Sequence, residues 1–271
     1  MRVAVFTSNQ PRHTALLERL ATTADEVVAV LETTTVFPGE VDDFYRRSPP
    51  MQAYFSRVMQ AEAQVFGTPR FLPSNVRSLS LKLGDLSRLD LRALQPALSC
   101  DAIVVFGASY IKAPLVDELV ARRALNIHMG VSPFYRGSGC NFWAVHDGNA
   151  DLVGATIHLL SAGLDSGDIL FHALPPAGIA DPFELGMRAV EAAHIALTQA
   201  LAGGTIASMA AIPQDKSAEI RYSRYSDFTD EVVAHYLANP PQPDAITQSL
   251  RQPPRPGIRL TAGTRAASNQ H

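Results

Sequence analysis

The chain has 271 residues, of which 46% are hydrophobic and 18% charged, enough apolar material for one large core or a main domain with a smaller appendage. A formal net charge of −3 and a pI near 6.2 give no overall basic footprint, which argues against a dedicated nucleic-acid binder and leaves small-molecule chemistry as the better expectation. Cys100 and Cys140 read as reduced thiols rather than a disulfide scaffold, and no Cys/His cluster has zinc spacing, so no metal is expected.

Arg2-Val3-Ala4-Val5-Phe6-Thr7 opens the chain as a buried-type strand, without the basic head, apolar stretch and cleavage site of a signal peptide. No apolar run approaches the roughly eighteen residues of a membrane span, so a soluble, cytoplasmic protein is expected. Thr14 to Leu20 has helical apolar spacing, with Pro11 tolerated near the start, and Glu26 to Leu31 reads as the next strand. Strand, helix and buried strand imply a parallel sheet with a right-handed crossover. From Thr33 to Gly67 an aromatic and charged stretch containing Phe37, Phe44, Tyr45, Arg46, Arg47, Tyr54, Phe55 and Phe66 interrupts the rhythm, read as a loop and then a helix from Pro50 to Val65. Aromatics beside arginines suit a lid or wall for a nucleotide base and phosphates, while an amphipathic helix packing its rings inward accounts for the same residues.

A helix is expected near Leu86 to Gln95 and a strand at Ala102 to Phe106, followed by Gly107-Ala108-Ser109-Tyr110-Ile111. Lys112-Ala113-Pro114 starts a helix through about Val120, and Ala124 to His128 reads as a strand. A short helix at Asn141 to His146, strands at Gly154 to Leu160 and Asp168 to Ala173, and a long helix from Pro182 to about Leu201 stopped by Gly203-Gly204 complete a main domain over 1–204. Residues 205–271 form a proline-rich, charge-balanced extension, partly irregular, with one convincing helix near Thr229 to Leu237 capped by Thr229.

The most telling residues are Asn126 and His128, two apart on a strand and so on one face, and Asp165 in Gly163-Leu164-Asp165-Ser166-Gly167-Asp168. Each alone is most simply a turn cap or a satisfied polar group. Together an amide, an imidazole and a carboxylate can stabilise an oxyanion and move a proton, as acyl transfer to an amine requires. The Gly-, Ser- and Pro-rich loop Met129 to Gly139 follows the strand, where open α/β sheets place their sites.

Leu125-Asn126-Ile127-His128, Tyr135-Arg136-Gly137, Gly154-Ala155-Thr156-Ile157-His158 and Gly163 to Leu170 together resemble the folate-dependent formyltransferase family, which includes glycinamide ribonucleotide, methionyl-tRNA and sugar N-formyltransferases. The resemblance covers roughly residues 100 to 200 well and the opening strand and helix loosely. It implies an α/β, Rossmann-like fold with a mostly parallel sheet, 10-formyltetrahydrofolate as cofactor, and Asn126, His128 and Asp165 as the catalytic triad. It further implies that Gly107, Ser109, Tyr110, Ile111 and Lys112, with Ala162, Gly163 and Leu164, contact the pterin. His158, in the family's Gly-x-Thr-x-His position, would support Asp165.

Departures from the family narrow the acceptor. Met129-Gly130-Val131-Ser132-Pro133 replaces the usual Pro-Ser-Leu-Leu-Pro type stretch, so a local change is expected beside the acceptor. Thr7 to His13 lacks the glycines of the purine-pathway phosphate loop, which disfavours glycinamide ribonucleotide, though Ser8, Asn9 and Arg12 are candidate substrate contacts, with helix capping the competing role of Ser8 or Asn9. The tail does not resemble the RNA-binding barrel of methionyl-tRNA formyltransferases, and the N-terminal regulatory domain of formyltetrahydrofolate hydrolases is not expected ahead of the first strand. Gly139 to Asn149 is similar to the Asn-x-x-Trp-Ala segment of sugar N-formyltransferases, which makes Asn141, with Tyr135 and Arg136, a candidate substrate residue. Trp143 and Cys140 are read as packing residues, the cysteine because no base is argued beside it, and His13, His146, His172 and His194 as surface or packing residues. The expected activity is formyl transfer to a primary amine of a small molecule, foremost a nucleotide-linked amino sugar. Another biosynthetic amine or hydroxylamine, methionyl-tRNA, cofactor hydrolysis, or folate binding without turnover are the alternatives. No nucleic acid or membrane partner is expected, and a homodimer built on the proline-rich tail is compatible with the sequence.

Overall fold

The computed structural model describes residues 1–37 and 48–261, so Phe44, Tyr45, Arg46 and Arg47 of the expected lid lie outside the described residues. The strands are β1 (Arg2–Ser8), β2 (Glu26–Thr33), β3 (Val76–Lys82), β4 (Ala102–Phe106), β5 (Leu125–His128), β6 (Tyr135–Gly137), β7 (Ala155–Leu159), β8 (Ile169–Ala173) and β9 (Arg221–Ser223). The helices are α1 (Pro11–Ala21), α2 (Pro49–Phe66), α3 (Gln95–Leu98), α4 (Leu115–Ala121), α5 (Cys140–His146), α6 (Pro182–Ala202), α7 (Asp230–Ala238) and α8 (Pro243–Leu250).

The main sheet has the order β3-β2-β1-β4-β5-β7-β8, parallel from β3 to β5 and antiparallel at β5–β7 and β7–β8. Its central strands β1, β2 and β4 read as nearly continuous apolar runs because both faces are covered. Val3 and Val5 enter one core with Leu16, Leu17, Leu20 and Leu197, while Ala4 and Phe6 enter the other with Leu86, Leu98, Leu115 and Leu119. The order reverses between β1 and β4, so the chain leaves these neighbouring strands toward opposite sides of the sheet and a crevice opens beyond their carboxyl ends. α6 is started by Asp181, whose carboxylate accepts from the Phe183 and Glu184 amides at 2.8 and 2.9 Å, and is followed by Gly204 in the left-handed region.

Several elements depart from the sequence-based expectation, the short strands β6 and β9 among them. β3 was not anticipated, because Arg77, Ser78, Ser80 and Lys82 make a largely exposed, polar edge strand that carries no buried-strand signal. The helix expected from Leu86 to Gln95 is a 3₁₀ turn at Leu86–Arg88 followed after other turns by α3, since Pro96 starts a helix rather than ending one. The tail also holds a second helix, α8, beside the expected α7, which Thr229 caps by accepting from the Val232 amide. The tail threads back over the body: β9 pairs with β6, Ile212 bridges Ile169, and Val233, Tyr236, Ile246 and Leu250 are buried. Among the described residues, no helix is long and apolar enough to cross a membrane.

Candidate active site

β5 pairs in antiparallel register with β7, placing Asn126 opposite His158 and His128 opposite Thr156. Directly opposed side chains share a face, so Asn126, His128 and His158 converge at one sheet end. Every polar residue of Gly154-x-Thr156-x-His158 then has a local task. Thr156 Oγ1 donates to the Gly130 carbonyl at 2.6 Å and accepts from the Ser132 amide at 2.8 Å, clamping the loop that follows β5. Gly154 approaches the Ala173 carbonyl so closely that an added Cβ would stand 2.7 Å from it. His158 donates Nδ1–H to the Leu159 carbonyl at 2.8 Å, which leaves Nε2 to accept from Asn126 Nδ2 at 2.9 Å.

Asp165 arrives from the loop between β7 and β8. Its Oδ2 lies 3.2 Å from His128 Nδ1 and its Oδ1 accepts from Asn126 Nδ2 at 3.3 Å, while His158 Nε2 stands 3.9 Å away. Three chain segments therefore meet at one carboxylate. Both Asn126 amide hydrogens are engaged by Asp165 and His158, so in this arrangement the amide orients the acid and imidazole instead of lying free for an oxyanion. Asp165 has a φ of 45°, uncommon outside glycine and a store of backbone strain of the kind found at functional sites. Gly167 is obligatory nearby, since a Cβ there would lie 1.7 Å from the Leu159 carbonyl.

The electrostatics favour an ion pair. Burial works against an imidazolium at His128, but Cys140 and the Asp165 carboxylate together outweigh it and hold the ring well above its ordinary pKa. Burial likewise opposes the Asp165 carboxylate, yet the charge and hydrogen bond of His128, aided by His158, hold its pKa well below the usual carboxylate range. The second nitrogen of His128, Nε2, faces Cys140 Sγ at 3.5 Å, and Gly130 permits this approach because a Cβ there would lie 2.5 Å from Cys140 Cβ. Cys140 is thus buried as expected, but it does have an imidazole beside it, which the linear sequence concealed.

Asn126, His128, His158 and Asp165 line a cleft of about 690 Å³ at the carboxyl ends of β4 and β5, beside the β1–β4 point where the sheet order reverses, a volume within the ordinary range of ligand sites. Of the expected pterin contacts, Gly107, Ser109, Tyr110 and Ile111 on one side and Ala162, Gly163 and Leu164 on the other line it; Lys112 does not, its amide instead bonding Ser87 Oγ at 2.9 Å. Ser109 is fixed by the buried Glu32, whose carboxylate accepts from its amide at 2.6 Å and its hydroxyl at 2.8 Å. Gly107 has a φ of 68° and lies so near His13 that a Cβ would stand 2.3 Å from its ring nitrogen.

The substrate candidates divide. Arg12 reaches the cleft, with its guanidinium held by the buried Glu62 of α2 at 2.9 Å. Asn141 lines an adjoining cavity of about 280 Å³ walled by Tyr54, Phe55, Phe142, Phe183 and Tyr236, while its Oδ1 accepts from the Gly154 amide at 3.0 Å. The structure does not bring Ser8, Asn9, Tyr135 or Arg136 to either space. Asn9 instead ties β1 to β2 by bonds to the Thr34 carbonyl and amide, and neither it nor Ser8 caps α1, whose N-cap is Gln10. Tyr135 is buried against Asp147 and Asn149, and Arg136 is buried with its Nη1 paired to Glu219 at 3.0 Å, so both side chains are turned to internal partners.

Sequence reasoning missed His13, which is buried and borders the cleft, its pKa lowered well below the ordinary value by burial and by Arg12 and His194. It also missed Glu32, Gln214 and Tyr225; the last lines the cleft from the tail, a placement that no local motif signals. His172, read as packing, is indeed buried, bonded to the Ser132 carbonyl at 2.7 Å, with its pKa pushed down to about 4 by burial. Among the described residues no His, Cys, Asp and Glu group is arranged for a metal ion.

A family model described as Formyl transferase matches residues 1–201. The methionyl-tRNA formyltransferase of Koribacter versatilis is 31% identical over 172 residues, covering 59% of this chain and 54% of that protein. The corresponding protein of Anaeromyxobacter dehalogenans strain 2CP-1 is 33% identical over 151 residues, covering 55% and 45%. The chain spans about half the length of the curated relatives it matches. Among solved structures, a sugar N-formyltransferase from Shewanella shares the fold with a TM-score of 0.51 at 18% identity, over 84% of this chain and 78% of that one. A 4-N formyltransferase from Francisella tularensis does so with a TM-score of 0.51 at 15% identity, over 84% and 77%.

Proposed function

The chain belongs to the formyl transferase family, and from that premise we propose that it moves the formyl group of 10-formyltetrahydrofolate to a primary amine of a small molecule. The observation that carries this reading is the buried His128 paired with the half-buried Asp165, 3.2 Å apart and braced by Asn126, on the wall of the cleft. The cleft suits a folate: Gly107 and Ser109 to Ile111 face Ala162 to Leu164 across it, and Tyr110 and Leu164 are exposed apolar surfaces against which a flat ring can lie. These residues would hold the donor, which supplies an activated formyl group.

The protein's own contribution is electrostatic and protonic. An imidazolium at His128 stabilises negative charge building on a carbonyl oxygen beside it, and Asp165 keeps that ring charged. The same pair can take up the proton an attacking ammonium must lose and deliver it to the departing nitrogen. Asn126 and His158 keep the carboxylate aimed at the ring.

For the acceptor we propose a nucleotide-linked amino sugar. The aromatic cavity beside Cys140, which shares Arg12, Met129, Gly139 and Val190 with the main cleft, supports an acceptor of small-molecule size. Methionyl-tRNA is the competing acceptor, favoured by the curated relatives; the net charge of −3 weighs against it. The test is incubation with 10-formyltetrahydrofolate and, separately, nucleotide-linked amino sugars, other amines and hydroxylamines, and methionyl-tRNA. Mass spectrometry should show one formyl group gained by an amino sugar. Gain by the tRNA alone replaces the acceptor, and formate release equally fast without any amine replaces transfer with hydrolysis.

A further inference from the structure

We propose that Gln214, in the tail beyond the segment matched by the family model, is a positioning residue that holds the Asp165 carboxylate against His128. The inference deepens the proposed function and rests on it for its catalytic meaning. Gln214 Nε2 donates to the carbonyls of both Asp165 and Gly167, at 2.8 Å each. One side-chain amide therefore spans the turn in which Asp165 is held at a φ of 45°. A non-glycine residue persists in that conformation only where surrounding structure imposes it, and here the imposing contact comes from the tail.

The anchor is itself anchored. Ile212 and Ile169 exchange backbone hydrogen bonds at 2.8 and 2.9 Å, fixing the segment that carries Gln214 along the edge of β8. Arg259 reinforces the join by donating to the Ile169 and Ala210 carbonyls. Gln214 Oε1 is buried without a hydrogen-bond partner, so the amide is oriented by its two donor contacts at the expense of its acceptor. Around the catalytic pair the titratable groups are Asp165 from the loop, Cys140 from α5 and His158 from β7. Gln214 itself carries no charge, so any influence on His128 passes through the placement of Asp165.

The test compares Gln214→Met, which keeps length and loses both donors, with Arg259→Met, which loosens the tail without touching the Asp165 loop. The acidity of His128 is read by NMR of histidine-labelled protein, a readout that needs neither donor nor acceptor. Gln214→Met should lower the His128 pKa by a resolvable amount, whereas Arg259→Met should lower thermal stability and leave that pKa in place. In the formyl-transfer assay Gln214→Met should lose roughly 10–100-fold in kcat with a small change in donor KM. In an Asp165→Asn background it should cost almost nothing more, because neighbours acting as one unit are not additive. An unchanged His128 titration in Gln214→Met, the same shift in Arg259→Met, or additive losses in the double variant would each overturn the proposal. If wild-type protein transfers no formyl group, the functional reading fails while the titration still decides the role of Gln214.

Discussion

At Asp165 a small backbone anomaly and a strong electrostatic effect coincide: the residue is in the left-handed region, its side chain 14% exposed, and within 3.2 Å of a more deeply buried imidazole. Their linkage has a definite sign. His128 has a raised pKa, so its contribution to stability is whole below about 6.5 and fades as pH climbs through the raised value. Asp165 has a lowered pKa, so its contribution is whole above about 3.8 and fades as pH falls through the lowered value. The stabilising difference between wild type and Asp165→Asn should therefore be largest between roughly pH 4 and 6.5 in denaturant titrations. The same variant should lose about 10²–10³ in turnover, with its remaining activity failing at lower pH than wild type. Near wild-type turnover in Asp165→Asn would reject the assignment. The convergence of Asn126 with His128 was legible from spacing alone, whereas the imidazole beside Cys140 was not, because the eleven residues between the partners, β6 among them, must fold back before the two meet.

Among the elements, the β5–β7 pair contributes most to the site, since one antiparallel register aligns Asn126 with His158 and His128 with Thr156. Thr156 is fully buried and makes two loop contacts with one hydroxyl. Thr156→Val keeps the shape and strands the buried Ser132 amide, so it should destabilise the protein by about 1–3 kcal/mol, measurable as a lower denaturant midpoint. An unchanged midpoint would mean that the loop after β5 is held by something else. Buried strands such as β1, β4 and β5 were legible because short apolar runs bounded by Gly, Pro and polar residues pack most readily as strands covered on both faces. β3 was not, since an edge strand needs only backbone partners on one side and can expose polar side chains.

Taken as a single body, the protein has a tail whose described residues, through 261, close onto the sheet. Leu250 and Val233 are fully buried, and Arg255 binds both Asp151 and Asn149 of the main body. Leu250→Ala should cost about 2–5 kcal/mol if these residues belong to the cooperative fold, checked by whether urea unfolding remains a single transition with a lower midpoint. A loss well below that range would mark the tail as a separately melting unit. The alternation of strands and helices, the shared face of Asn126 and His128, and the motifs that the family match then supported were all written in the linear chain, because periodicity and short spacing are local properties. Folding in three dimensions was needed to show that Tyr135 and Arg136 are spent on internal partners, that Glu32 fixes Ser109, that Gln214 returns to the Asp165 turn and that Tyr225 returns to the cleft. Those contacts join residues far apart along the backbone, and their partners are selected by packing and by the need to satisfy buried polar groups, which no local pattern encodes.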